Sequence, residues 1–388
     1  MSNSQKIISR IFNTERSNFF LHHHLDEEQF KAYNYIAACG TDTFGFNTYM
    51  CEECHHKVIH YNSCGNRNCP SCQVKAREEW IEKFSTFIID GVTYFHIVFT
   101  VPDSLNELFL NNKSAMYNLL FDASSKTLLK ACEKELGQIG FTAILHTWGQ
   151  NLCFHPHIHM IVSGGGLSID HSGNAVFIKS NDHFLVSKKV LSKIFKGKFM
   201  DKLKKLALVD SNGNPIDLRD EPYKSLVDEL YKKEWVVYVK EPFNNTKAIL
   251  NYIGRYSHRV AISNSRIISY EQSNHSVTFS YKDYKDGSKT KEMTLDANEF
   301  IRRFTLHILP SRFIKIRHYG FMSNSNRKTK IPLCRKLLNI SLSQDNSEDK
   351  VKAEITPIHR CPKCNGMMFL HESCIVDKPK FNIQDRVT

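Results

Sequence analysis

Three histidines, His155, His157 and His159, occupy alternate positions in a short segment that runs into Gly164-Gly165-Gly166. Successive side chains of a β-strand point to opposite faces of its sheet. The segment therefore predicts a strand with the histidines on one face and the apolar residues among 158–162 on the other, against a core. Imidazoles brought together on a sheet face are suited to hold a metal ion.

The chain is strongly basic: 52 lysines and arginines oppose 40 acidic residues, which gives a net charge of +12 over 388 residues. This balance favours a nucleic-acid partner, because each neutralised phosphate releases counterions. No apolar run approaches the roughly 18 residues of a membrane-spanning helix, so no membrane partner is expected. Residues 1–12 lack the apolar stretch of a secretory signal. We expect a cytoplasmic protein.

Segments typical of strands alternate irregularly with helical segments. Tyr94–Thr100 and Phe141–Trp148 are rich in β-branched and aromatic residues, and alternating segments within 267–295 predict a small meander. This order favours an α+β fold with a mainly antiparallel sheet flanked by helices, plus a small zinc-binding module. The expected domains are an N-terminal helix and zinc-binding module in 1–90, a catalytic domain in 91–325, and a linker with a zinc-ribbon-like tail in 326–388.

Cysteines at zinc-ligand spacing occur near the N-terminus. Cys51-x2-Cys54 precedes Cys69-x2-Cys72, with fourteen residues between the pairs, which predicts a structural zinc ion because four thiolates leave no open coordination position. Further ligands for a second ion, or replacements for one of the four, are available nearby: Cys39, Cys64, His55, His56 and His60. Arg67, beside this module, is a candidate DNA contact.

A second cysteine group lies near the C-terminus. Cys361-x2-Cys364 with Cys374 is similar to half of a zinc ribbon. His359 or His371 could complete the site, and a vestigial module without metal is the alternative.

Two tyrosines on a predicted helix are candidate nucleophiles. Tyr252 and Tyr256 are four residues apart, so on a helix they share one face about 6 Å apart. Arg255 lies between the two tyrosines, and His258 and Arg259 follow them, so cationic side chains are close by in sequence. A tyrosine hydroxyl attacks at neutral pH only when a cation or metal stabilises its oxyanion. The same stripe of residues also fits plain core packing, but beside a histidine metal site it favours phosphoryl transfer on DNA.

These motifs together resemble the HUH (histidine, hydrophobic, histidine) endonuclease superfamily, and most closely the rolling-circle transposases of the IS91 family. The resemblance spans residues 15–325 and rests on the motifs at 63–73, 155–166, 252–263 and 316–321. It implies a five-stranded antiparallel catalytic sheet, a divalent metal, and Tyr252 and Tyr256 as the residues that become linked to a 5′ phosphate. The implied partners are single-stranded DNA at the transposon ends and target DNA.

The resemblance implies Mg²⁺ or Mn²⁺ as the catalytic metal, held by His157 and His159. Strand parity makes His155 the simplest third ligand, with His146 and His258 as alternatives. Two other functions fit parts of the sequence: a metal-dependent nuclease that uses water, and a non-catalytic zinc protein that binds DNA. The motifs set neither the order in which the tyrosines act nor an oligomeric state.

Overall fold

The computed structural model describes residues 6–243, 245–257, 260–284, 286–340 and 359–381, without the side chains of residues 255, 256 and 359. Its α-helices are α1 (Ile7–Thr14), α2 (Arg16–His22), α3 (Glu27–Ala37), α4 (Gln73–Ser85), α5 (Asn106–Asn111), α6 (Lys113–Leu136), α7 (Lys188–Leu203), α8 (Tyr223–Lys232), α9 (Thr246–Ser257), α10 (Ala297–Leu306) and α11 (Arg327–Leu337). Its strands are β1 (Phe46–Cys51), β2 (Lys57–Tyr61), β3 (Tyr94–Thr100), β4 (Gln138–Trp148), β5 (Phe154–Ile169), β6 (Ala175–Lys179), β7 (Leu208–Val209), β8 (Pro215–Ile216), β9 (Val237–Val239), β10 (Ile267–Glu271), β11 (Ser276–Asp283), β12 (Lys289–Asp296), β13 (Ile316–Gly320), β14 (His359–Arg360) and β15 (Met367–Cys374).

The chain forms two compact units that are not contiguous in sequence. Unit 1 comprises Met1–Lys75, Arg259–Ile308 and Leu342–Thr388, whereas unit 2 comprises Ala76–His258 and Leu309–Ser341. This division differs from the three consecutive segments expected from the sequence. It assigns the C-terminal cysteines to the same unit as the N-terminal ones.

Within the described residues, unit 1 contains α1, α2, α3, α10 and the first residues of α4, together with two antiparallel sheets. One sheet has the strand order β14-β15-β1-β2, and the other is the predicted meander β10-β11-β12. Helix α3 begins after Asp26, whose side chain accepts a hydrogen bond from the Gln29 amide at 2.8 Å and so caps the helix. Between the helices Phe12 packs on Tyr33 and Phe304, with ring centroids 5.0 and 5.2 Å apart.

Unit 2 is built on an antiparallel sheet with the strand order β13-β4-β5-β3-β9, and β6 pairs with the far end of β5. Ile158, Met160 and Val162 of β5 are buried in a large core that includes residues of α6 and α7. The predicted alternation along β5 is therefore confirmed, and so is the α+β class. The described sheet has one strand, β6, beyond the five that the resemblance implies.

Strand β5 is longer than its sequence suggests, because it does not end at the three glycines but continues to Ile169. A side chain at Gly164 would place its Cβ 2.8 Å from the carbonyl oxygen of Thr93. Glycine therefore lets the strand pass close to its neighbour before it turns to pair with β6. Across the described ranges, every helix falls short of the length or apolar character needed to cross a membrane.

Candidate functional site

Histidines from three neighbouring strands of unit 2 meet on one face of its sheet. His146 of β4 lies directly opposite His157 of β5, and β3, on the other side of β5, supplies His96. One ring nitrogen from each of His146, His157 and His159 lies within 4.8 Å of the other two. We call these three residues the histidine group.

Backbone contacts within β5 orient His157. Its Nδ1 lies 2.7 Å from the carbonyl oxygen of His155. Because a carbonyl oxygen only accepts hydrogen bonds, Nδ1 carries the proton, and Nε2 of the neutral ring is free to ligate. That Nε2 lies 3.0 Å from Nε2 of His159. Two imidazoles on one ion at about 2.1 Å have their nitrogens roughly 3.0–3.4 Å apart, so this arrangement suits one metal ion.

The side chain of His155 lies outside the histidine group. Its Nδ1 is 3.3 Å from Oδ1 of Asp103, near the surface. The structure thus brings His146 to the group and leaves His155 to contribute through its backbone. Alternation along β5 places His155 on the same face as His157 and His159. The sequence of one strand does not show, however, which residue the neighbouring strand places beside them.

Burial favours the neutral form of His96, His157 and His159 by lowering their pKa values. It lowers the pKa of His157 to about 4, with a further contribution from His155. It lowers the pKa of His96 to about 3, helped by the charge of Lys240, and also lowers the pKa of His159. Neutral imidazole is the form that ligates metals, so the rings need not lose a proton near neutral pH.

Tyr252 of α9 reaches the histidine group through His96. Its hydroxyl oxygen lies 2.9 Å from Nδ1 of His96, and Nε2 of His96 lies 2.9 Å from Nδ1 of His159. Ile249 and Ile253 on the same helix are buried in a core. The isoleucines of this helix thus pack in a core, while the Tyr252 hydroxyl faces the imidazoles.

The other predicted residues of this helix are placed only in part. Arg255 and Tyr256 belong to α9, but the structure does not describe their side chains, and His258 and Arg259 lie outside the described residues. Tyr252 is thus the tyrosine whose position relative to the histidine group is defined.

The N-terminal cysteines fall into two groups rather than one. The first group is Cys39, Cys64, Cys69 and Cys72, whose Sγ atoms lie within 4.8 Å of one another. Cys72 Sγ is 3.7 Å from that of Cys39 and 3.5 Å from that of Cys64. Tetrahedral zinc with Zn–S bonds of about 2.3 Å separates its sulfurs by about 3.8 Å, so this donor set fits a closed zinc site.

The second group joins the two ends of the chain. Cys51 and Cys54 lie within 4.8 Å of Cys361 and Cys364, not beside Cys69 and Cys72. The grouping of Cys51 and Cys54 with Cys69 and Cys72, expected from their spacing, therefore differs from the observed one. Cys374 pairs with Phe46 at the other end of β1 and is not part of either group.

Comparisons with known proteins identify the family to which the chain belongs. The family model "Transposase zinc-binding domain" matches residues 11–101, and the model "Putative transposase" matches residues 140–330. The chain is 30% identical over 294 residues to "Transposase for insertion sequence element IS801" of Pseudomonas savastanoi pv. phaseolicola, which covers 74% of this chain and 69% of the relative. The chain is a transposase of the IS91/IS801 family.

The transposase is also 38% identical over 371 residues to "Putative transposase y4qJ" of Sinorhizobium fredii, which covers 90% of this chain and 91% of the relative. No solved structure matches it. The first cysteine group lies wholly within the matched zinc-binding domain, which together with its geometry supports a structural zinc ion there. The family resemblance stated from the sequence motifs is confirmed.

Sequence reasoning missed two residues that lie beside Tyr252. His96 is the basic side chain in the otherwise apolar strand β3, all of which is buried. A histidine inside such a run was the available signal, but one buried histidine is usually a core residue. Lys240, whose Nζ lies 5.8 Å from the Tyr252 ring centroid, follows a three-residue strand and carried no signal. Arg67, the candidate DNA contact, is exposed in the turn before Cys69.

Proposed function

We propose that this transposase cuts and rejoins single-stranded DNA through a covalent bond between a DNA phosphate and Tyr252, with Tyr256 as second nucleophile. The contact path from the Tyr252 hydroxyl through His96 to His159, 2.9 Å at each step, supports it. A candidate nucleophile lies one imidazole away from three convergent metal-ligand side chains. Metal-assisted phosphoryl transfer requires this combination.

The histidine group fits a divalent metal that accepts nitrogen ligands. Three imidazoles leave coordination positions for phosphate oxygens, and they suit Mn²⁺ better than Mg²⁺, which prefers oxygen. When bound, such an ion would polarise the scissile phosphate and offset charge in the transition state. His146, His157 and His159 are the residues that would hold it.

The protein's own contribution is to position and activate Tyr252. Its phenolic oxygen forms the new bond to phosphorus while the bond from phosphorus to the 3′ oxygen breaks. Overall the phenolic proton ends on the 3′ oxygen, so a 3′ hydroxyl and a 5′-phosphotyrosine result. His96 fixes the hydroxyl by hydrogen bonding, and the Lys240 ammonium, 5.8 Å from the ring centroid, favours the anionic oxygen. The phosphotyrosine remains a diester, so strand joining needs no ATP.

DNA contact follows from charge. The net charge of +12 supplies a general attraction for phosphates. Arg67, Arg255, His258 and Arg259 are the side chains that we propose contact the strand, at the ends of the element and in the target. The protein would act at the bacterial nucleoid.

The test is a covalent adduct. Single-stranded oligonucleotides carrying the ends of the element are incubated with the transposase and Mn²⁺, then separated on a denaturing gel. We expect an adduct with the wild-type protein, a weaker or absent one on duplex DNA, and none with Tyr252→Phe combined with Tyr256→Phe. Tyr231→Phe is the matched control, because Tyr231 is an exposed tyrosine of α8 and should retain the adduct.

The possible results separate the candidate functions. An adduct that persists in the double tyrosine variant contradicts the proposal. Cleavage with no adduct in the wild-type protein would indicate a water-using nuclease instead. DNA binding without cleavage would indicate a non-catalytic DNA-binding protein.

A further inference from the structure

The matched zinc-binding domain ends at residue 101, yet two of the eight grouped cysteines lie at the other end of the chain. We infer that Cys51, Cys54, Cys361 and Cys364 hold a second structural zinc ion, which fastens the C-terminal strand β15 to β1. The zinc-binding module of unit 1 is thereby completed by residues that follow unit 2 in sequence.

The sulfur positions fit a single tetrahedral ion. Cys51 Sγ is 3.4 Å from Cys364 Sγ, and Cys54 Sγ is 3.6 Å from Cys361 Sγ. These separations are close to the roughly 3.8 Å between sulfurs on one zinc ion, and far from the roughly 2.05 Å of a disulfide. Four thiolates would close the site to further ligands, which is typical of a structural rather than a catalytic ion.

The two cysteine pairs sit in matching backbone turns. In each turn the carbonyl oxygen of the first cysteine accepts from the amide four residues later, at 3.0 Å for Cys51 and 2.9 Å for Cys361. The amide of the first cysteine donates to the carbonyl five residues later, at 2.9 Å in both turns. The fourth residue after it has a positive φ in both, 55° at His55 and 63° at Asn365. Each turn directs two thiols to one point, so two facing turns supply four ligands.

The C-terminal segment also fits unit 1 away from the cysteines. Strand β15 pairs with β1 from Phe46 opposite Cys374 to Cys51 opposite Met368. Gly45 has φ 76°, and a side chain there would collide with the Cys374 carbonyl oxygen. The hydroxyl of Tyr35 donates to the carbonyl oxygen of Pro379 at 3.0 Å.

Few apolar side chains pack around the second cysteine group, so the stability of this part of unit 1 depends on the ion. The buried cluster there consists of Cys51, Cys361 and Met368, with three partly buried neighbours. A small sheet with so few buried apolar side chains is marginal without a cross-link. Coordination between residues more than 300 positions apart would supply that cross-link.

Zinc content tests the assignment. The full-length protein is prepared with His157→Ala, so that metal on the histidine group is not counted, and zinc per chain is measured by elemental analysis and native mass spectrometry. We expect two ions per chain, and one after Cys361→Ser with Cys364→Ser. Cys374→Ser is the matched control, because this cysteine lies on the same strand outside both groups, and should keep two. Two ions in the Cys361/Cys364 variant would overturn the inference.

Thiol alkylation of the unaltered protein decides the question even if that variant fails to fold. Cys364 is exposed, so an alkylating reagent can reach it once no metal is bound. We expect Cys361 and Cys364 to react at least about tenfold more slowly before chelator is added than after it, because a metal-bound thiolate is shielded, whereas exposed Cys153 should react at the same rate in both conditions. They should then become reactive together with Cys51 and Cys54. Alkylation of Cys364 at the same rate before and after chelator is added to the zinc-loaded protein would overturn the inference.

Discussion

The cysteine groups of unit 1 and the histidine group of unit 2 offer different kinds and numbers of metal ligands. Each cysteine group gathers four thiolates from separate turns, whereas the histidine group gathers three imidazoles from two paired strands. Four thiolates complete the coordination of zinc, and three imidazoles leave positions for a substrate. The comparison separates ions that stabilise the fold from an ion that would take part in the reaction.

The two kinds of site also differ in the size of the apolar core beside them. The strands that carry the histidines have a large core on their other face, including Phe99, Leu145 and Ile158. The turns that carry Cys51 and Cys361 have only a small apolar cluster. We therefore expect unit 2 to keep its fold without metal, and the cysteine turns of unit 1 to lose theirs.

The largest effect is expected from Cys69→Ser, which removes a buried ligand of the first cysteine group. Structural zinc contributes on the order of 10 kcal/mol of binding free energy to the folded state, much of which a three-thiolate site forfeits. The variant should lose one zinc ion per chain and show a markedly lower unfolding temperature by circular dichroism.

Cys153→Ser is the control for this experiment, because Cys153 is exposed and belongs to neither cysteine group. It should leave the zinc content and the unfolding temperature unchanged. An unaltered unfolding temperature in Cys69→Ser would contradict the view that this ion stabilises the fold.

A smaller and different effect is expected from His157→Ala. Loss of a ligand should weaken Mn²⁺ binding, measured by calorimetry, and slow adduct formation about 100- to 1,000-fold, as for loss of other transition-state charge stabilisers. The free energy of unfolding should change by less than about 1 kcal/mol, because the His157 ring lies on the sheet face opposite the large core and its loss leaves that core intact. His155→Ala is the matched control, since its side chain faces Asp103. If His155→Ala reduced Mn²⁺ affinity as much as His157→Ala, the assignment of the histidine group would be wrong.

The sequence predicted the positions and buried faces of the strands better than it predicted which residues of neighbouring strands lie side by side. Strand β3 was predicted with its observed limits, and the alternation of β5 was correct, because local periodicity encodes which face is buried. The contribution of His146 was left open, since it depends on the register that places it opposite His157. Register between strands is a tertiary property that one strand's sequence does not contain.

The cysteines illustrate the same limit. Cys51-x2-Cys54 and Cys361-x2-Cys364 each lie in one turn, as their spacing predicts, but the spacing does not say which turns face each other. Fourteen residues between two turns is a common zinc spacing, which favoured a local site. The observed grouping instead depends on β15 pairing with β1, a contact between segments more than 300 residues apart.

The smallest effect on adduct formation is expected from His96→Leu. His96 is almost fully buried and hydrogen-bonds both Tyr252 and His159, so it positions the nucleophile relative to the histidine group without being one of its members. Leucine has a similar volume but cannot make either hydrogen bond. Residues that orient metal ligands typically contribute 10- to 100-fold to metal affinity or activity, and we expect adduct formation to slow by about that factor.

Rescue by His96→Gln separates positioning from packing. A glutamine amide both accepts and donates, so it can restore one hydrogen bond to each neighbour, and we expect it to recover most of the lost rate. The unfolding temperature of both variants should stay close to that of the wild type, because leucine and glutamine both fill the space of the buried histidine. If His96→Gln is as slow as His96→Leu while Mn²⁺ affinity is unchanged in both, the hydrogen-bonded path from Tyr252 to the histidine group does not serve the reaction.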